Sequence, residues 1–236
     1  MKKIELLGYS ERGIINSLIF SISNNKELMD KFVELIDIPK LNKLGKPIDY
    51  EILLEQSFSG FGDADLIIIL KYKSHKKVLF IEGKVKTFHR KSWTLENQYN
   101  KFKKGKYPGY SSNLFYQLYL KHLLFDNKTD IEWENECISN WDSFSVNCGI
   151  RNRKIGNNKI VWKALKRVVD CDEAFYIGLV PSNKQENDLF KGKLKHNIHF
   201  LSWKDVHDFC NNNEEELKPV LDVFEFNKGQ IYRNVK

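Results

Sequence analysis

The sequence predicts an α/β fold, with a mixed central β-sheet flanked by helices. Three observations predict it. Residues 66–70 (LIIIL) and 78–81 (VLFI) are short apolar runs on either side of a polar turn. Runs of that length suit strands buried on both faces. Residues 14–22 and 114–123 instead repeat apolar side chains at helical spacing. Along the chain the elements follow as helix, three strands, helix, strand, strand and helix.

The first helix begins near Tyr9, with Ser10 as a favoured N-cap residue. Ile14, Ile15, Leu18, Ile19 and Ile22 form its buried stripe. Asn24 and Asn25 interrupt it, and residues 26–36 read as a second helical piece. A turn-rich link with Gly45 and Pro47 leads to a strand over 50–58, closed by Ser59 and Gly60. The hairpin of the two apolar runs follows, turning at residues 73–76. Residues 87–110 interleave basic and aromatic side chains and end in a Gly/Pro turn at 105–109. Such a stretch is either a solvated helix face or a surface that holds phosphates and stacks bases.

Residues 111–125 make the clearest helix, with Ser111 or Ser112 as cap and Leu114, Phe115, Leu118, Tyr119 and Leu123 on its apolar face. Gln117 and Lys121 are four apart on one side. Residues 126–156 lack clean periodicity and hold Trp133 and Trp141 among acidic residues. A short helix over 160–169 follows. A strand over 174–180 stops at Pro181, and a second strand spans 198–201. Ser202 and Asp205 then approach a capping box. The last helical segment is expected near 217–224.

A chain of 236 residues fits a single domain over 1–236, with an elaboration at about 126–170. At 42% hydrophobic residues it can build a sizeable core. A formal charge of +7 favours polyanions and says nothing of fold. The four cysteines have no CxxC pairing and no zinc spacing. No secretory signal is visible and the apolar runs are too short to span a bilayer. The expectation is therefore a cytoplasmic protein with free thiols and no membrane partner.

The hairpin carries the chemistry. Over 61–88 the acidic residues are Asp63, Asp65 and Glu82. Side chains alternate along a strand, so Glu82 and Lys84 share a face. A turn centred on Ser74 and His75 puts Asp65 opposite the Glu82–Lys84 end. Two carboxylates and an ammonium then meet where buried strands emerge, a costly arrangement unless a metal ion or mutual pairing offsets it. Asp63 shares the face of Asp65; it is a solvated strand end or an accessory ligand.

An Asp at the start of one strand and Glu-x-Lys on the next, here Asp65 and Glu82-Gly83-Lys84, resembles the PD-(D/E)xK nuclease superfamily. Gly62 and the apolar residues after each motif resemble it too; Ala64 stands where that family usually has Pro. The resemblance is strongest over 9–125 and weaker over 174–210. It implies an αβββαβ restriction-endonuclease-like core with an insertion. It implies a Mg²⁺ or Mn²⁺ ion, the choice of hard oxygen ligands, held by Asp65, Glu82 and the Gly83 carbonyl. Lys84 would position the attacking water or stabilise the phosphorane-like state. Glu11 is either a further acidic residue near the metal, as in many members, or a carboxylate favoured by its helix N-terminus. Gln117 either faces the site or belongs to an exposed polar pair.

The implied activity is a metal-dependent nuclease, with DNA the expected polymer over RNA and a homodimer an allowed assembly. Lys86, Arg90, Lys91, Lys103 and Lys121 are the expected nucleic-acid contacts. The alternatives are a non-catalytic nucleic-acid-binding module on the same fold and an interaction protein that binds through its Trp-containing insertion.

Overall fold

The computed structural model describes residues 7–86, 93–104, 112–132, 137–138, 155, 158–182, 187–188, 190 and 198–231. It is mixed α/β, built on a five-stranded sheet of order β1-β2-β3-β6-β7. Those strands are β1 (Asp49–Ser57), β2 (Asp63–Lys71), β3 (Lys76–Gly83), β6 (Glu173–Val180) and β7 (Ile198–Ser202). A two-stranded ribbon, β4 (Ile131–Glu132) and β5 (Cys137–Ile138), stands apart from the sheet. The helices are α1 (Ser10–Ile22), α2 (Lys26–Leu35), the short α3 (Pro39–Asn42), α4 (Leu95–Lys103), α5 (Leu114–Asp126), α6 (Lys159–Val169), α7 (Trp203–Asn211) and α8 (Glu214–Ile231).

The chain divides into two compact units. One comprises Met1–Lys46, Gly83–Leu95 and Gly178–Lys236; the other comprises Pro47–Glu82 and Glu96–Ile177. The first holds α1 to α3, β7, α7 and α8. The second holds β1, β2, α4 to α6 and the ribbon. Strands β3 and β6 run from one unit into the other, β3 between Glu82 and Gly83.

In the second unit β1, β2 and β3 form an antiparallel meander. Ala64 to Leu70 are all buried, as are Val78 to Ile81, which is why neither run shows an alternation of polar residues. Leu66 pairs with Ile81 and Lys71 with Lys76, and the Tyr72 N–H donates to the His75 carbonyl at 2.9 Å. The turn therefore centres on Lys73 and Ser74, one residue earlier than the spacing suggests.

Asn113, not Ser111 or Ser112, caps α5 by accepting from the Tyr116 N–H. Buried Gln98 of α4 ties down the same end: its side chain accepts from the Leu114 N–H at 3.2 Å, and its carbonyl accepts from Asn113 at 2.8 Å. Helix α6 is capped by Asn158. Of the expected elaboration, α6 and the ribbon are described; Trp133 and Trp141 lie outside the described residues.

In the first unit α1, α7 and α8 pack as a cluster. Ser202 and Asp205 form the full capping box at the start of α7, as the spacing predicts. Ser10 is not the N-cap of α1. Tyr9 occupies that position and offers no side-chain bond, while Ser10 has φ +65°. Helix α8 runs well past the expected 217–224. Among the described residues no helix is long and apolar enough to cross a membrane.

Candidate active site

Asp65 and Glu82 are the next residues beyond Leu66 and Ile81, the last pair of the β2–β3 ladder. The register of Leu66 opposite Ile81, carried one step on, sets Asp65 opposite Glu82. Directly opposed residues lie on the same face of an antiparallel pair, with Cβ atoms about 4.5–5.5 Å apart. Asp65 is 7% exposed and Glu82 is 3% exposed. Phe80 shares the face of Glu82 by alternation. Its ring stacks on Tyr176 at 5.7 Å, and His122 of α5 meets Tyr176 edge-on at 5.6 Å. Helix α5 therefore covers the face that carries the acidic pair.

The backbone around Asp65 is irregular on its other side. Strand β1 pairs through Leu54 and Leu66, skips Glu55, and resumes at Gln56 and Ala64. Glu55 has φ +49°, and it is exposed. Ahead of β2, Ser59–Phe61 forms a single 3₁₀ turn that ends at Gly62, with φ +75°. That left-handed conformation favours glycine. The Phe61 carbonyl accepts from the Lys121 ammonium at 2.9 Å, and a Cβ on Gly62 would lie 3.4 Å from that nitrogen.

Lys121 is thus 1% exposed, with its charge held inside the unit. Its expected place on a nucleic-acid surface is corrected by this burial: the long side chain reaches inward to the Phe61 carbonyl. Gln117, one turn earlier on α5, has a buried Oε1 with no hydrogen-bond partner. Two aromatic residues of the basic stretch, Tyr99 and Phe102, are likewise engaged internally. Tyr99 meets Phe115 at 5.3 Å, and Phe102 meets Tyr119 at 5.7 Å. Lys103 is exposed, with its ammonium 5.5 Å from the Tyr99 ring. Arg90 and Lys91 lie outside the described residues.

The remaining candidates belong to the first unit. The Lys84 N–H donates to the Leu179 carbonyl at 2.8 Å, and the Lys86 N–H to the Gln230 carbonyl at 2.7 Å. The Trp203 indole N–H donates to the Lys84 carbonyl at 2.8 Å. This segment is therefore fixed to β6, α7 and α8. A Cβ on Gly83 would lie 3.0 Å from Glu11 Cβ and 3.1 Å from Ile15 Cδ1. The stem of Glu11 thus lies against the Gly83 backbone, a closeness only glycine allows without displacement. Glu11 also accepts from the Ser10 hydroxyl.

Among the described residues no group of three or more His, Cys, Asp or Glu side chains is arranged to hold a metal ion. A pair of buried carboxylates still suits Mg²⁺, which commonly uses one or two protein carboxylates and keeps several waters. The donors are hard oxygens. The residues present fit such an ion. Cys171 and Cys210 are free and buried, and burial pushes each thiol up to about 12, so neither offers a thiolate at neutral pH.

No family model, curated protein or solved structure matches this chain.

Residues with structural weight that the sequence did not announce are Trp203, Asn227 and Gln230, which bond to Gly8, Ser10, Lys84 and Lys86. An Asn inside an otherwise ordinary helix is the one visible signal, since Asn is a poor helix former whose side chain readily bonds backbone groups.

Proposed function

We propose that this chain is a metal-dependent nuclease of the PD-(D/E)xK kind that hydrolyses phosphodiester bonds in DNA. The observation that carries the proposal is the Asp65–Glu82 rung: two buried carboxylates opposed at the end of an apolar hairpin, with Lys84 two residues beyond. Helices, then an antiparallel three-strand meander, then helices with a short ribbon among them, then a further strand of the same sheet, support a restriction-endonuclease-like core.

In this reading Asp65, Glu82 and the Gly83 carbonyl hold Mg²⁺ or Mn²⁺. The ion, when bound, lowers the pKa of water and offsets charge on the phosphate. Asp65 and Glu82 fix where the attacking oxygen sits. Lys84 orients that water and stabilises the negative charge that grows on the phosphoryl oxygens. Its backbone is fixed by bonds on both its N–H and its carbonyl, so its stem starts from a defined place. Gln117 contributes an amide on α5, the helix over the same face. Exposed Lys103 and the following basic residues hold the phosphate backbone without reading sequence.

The test is a cleavage assay on plasmid, linear DNA and RNA, with Mg²⁺, Mn²⁺ or EDTA. Wild type should cut only with metal. Glu82→Ala should abolish cutting, because a metal ligand is removed. Lys84→Ala should slow cutting by about 10²-fold or more while Mn²⁺ binding persists. Nucleic-acid binding without cleavage in wild type would favour a non-catalytic module. Equal residual cutting in all three proteins would place the chemistry elsewhere.

A further inference from the structure

Both sides of the Gly83 segment are tied to one face of α8. Asn227 is 1% exposed, and its side chain is fully used. Its Oδ1 accepts from the Ser10 N–H at 2.8 Å; its Nδ2 donates to the Gly8 carbonyl at 2.7 Å and the Val223 carbonyl at 2.8 Å. The chain entering α1 is folded so tightly that a Cβ on Gly8 would lie 2.7 Å from Gly13 Cα. Asn227 thus supplies the side-chain bond that Tyr9, the N-cap of α1, does not make, and Glu11 follows Ser10 directly. Three residues on, and so on the same helix face, the Gln230 carbonyl takes the Lys86 N–H at 2.7 Å. One helix face therefore fixes the turn that presents Glu11 and the strand exit that presents Lys84.

We infer that Asn227 is a positioning residue of the site, acting through Glu11 on the backbone at Gly83. The path is continuous. Asn227 holds Gly8 and Ser10, Ser10 leads into Glu11, and the Glu11 stem lies against Gly83, whose carbonyl is a proposed metal ligand. A ligand held by a fixed backbone binds more tightly than one that must be ordered first. This inference rests on the proposed metal site, so its test separates the two.

Mn²⁺ affinity is measured by titration calorimetry for wild type, Asn227→Ala, Glu11→Ala and the double variant. Asn227→Ala should raise the dissociation constant about 10- to 100-fold, the usual effect of losing a supporting residue. In the Glu11→Ala background the same change should add almost nothing, because the path is already cut. Asn158→Ala removes the α6 cap; it should lower the melting temperature yet leave Mn²⁺ affinity unchanged, which separates positioning from general loss of stability. If Asn227→Ala does not fold, Asn227→Asp keeps the acceptor for Ser10 and the volume, and the same cycle is read with it. Equal losses in both Glu11 backgrounds, or no loss in either, would overturn the inference while the metal site stands. No Mn²⁺ binding by wild type would remove the metal site itself, and the inference with it.

Discussion

Metal should stabilise this protein by an amount the Asp65–Glu82 rung sets, and Glu82→Gln should remove that gain. The two carboxylates are opposed on neighbouring strands and almost fully buried. A divalent cation held by Asp65 and Glu82 would bind the folded state and so stabilise it. The gain is read by linkage: at a free Mn²⁺ concentration about 100 times the dissociation constant, folding gains about 2.7 kcal/mol. For a chain of this size each kcal/mol moves the melting temperature by about 2–4 °C. Wild type should therefore melt about 5–11 °C higher with saturating Mn²⁺ than in EDTA. Glu82→Gln keeps the side-chain volume and removes one ligand charge. Its melting temperature should be the same in both buffers, and cleavage should cease. The assay is differential scanning fluorimetry across a Mn²⁺ series, with Ca²⁺ and Na⁺ as controls. A wild-type melting temperature that ignores Mn²⁺, or a full shift retained in Glu82→Gln, would refute the assignment of the pair as metal ligands.

Three further outcomes are expected. Lys121→Met should cost about 1–3 kcal/mol in urea denaturation, because the Phe61 carbonyl loses its donor, and it should leave the salt dependence of DNA binding unchanged; a shallower salt slope would return Lys121 to the surface. Replacing exposed Lys103 together with Arg90 and Lys91 by Ala should weaken DNA binding and reduce that slope by about 1 for each phosphate no longer neutralised, measured by fluorescence anisotropy across a salt series. Cys171 and Cys210, pushed up to about 12 by burial, stay protonated well above neutral pH; mass spectrometry after alkylation at about pH 8, below even the free-thiol value, should find them unmodified in native protein and modified in urea, and prompt native labelling at either would contradict its burial.

The hairpin was legible because its apolar runs are longer than an alternating strand allows. The one-residue difference in the turn did no harm to the face assignment. Moving a turn centre by one residue moves the pairing by two, and side-chain parity repeats every two residues. Asp65 and Glu82 therefore share a face under either register. Caps were less legible. Asn113 lies next to Ser111 and Ser112, and only the local backbone decides which of several good capping residues is used. Lys121 was misread because a polar pair four apart on a helix resembles a solvated edge. Its burial goes with a bond to the Phe61 carbonyl, 60 residues away in sequence. The bonds of Asn227 span 217 and 219 residues, and no local pattern announces partners at that range.

Burial of charge within the second unit has two separate explanations. Lys121 has a structural partner: Gly62 takes a left-handed conformation after the 3₁₀ turn, and the buried Lys121 side chain donates to the Phe61 carbonyl. Asp65 and Glu82 are different. If the rung served only hydrogen bonding, Asn and Gln of equal volume would serve it without like-charge repulsion between directly opposed residues. What the carboxylates add over amides is negative charge, concentrated at the end of strands otherwise made of Leu, Ile, Val and Phe. Burying charge costs folding free energy, and a divalent cation held by both carboxylates would offset part of that cost. The charge of this pair, more than its position, points to a task beyond holding the sheet together.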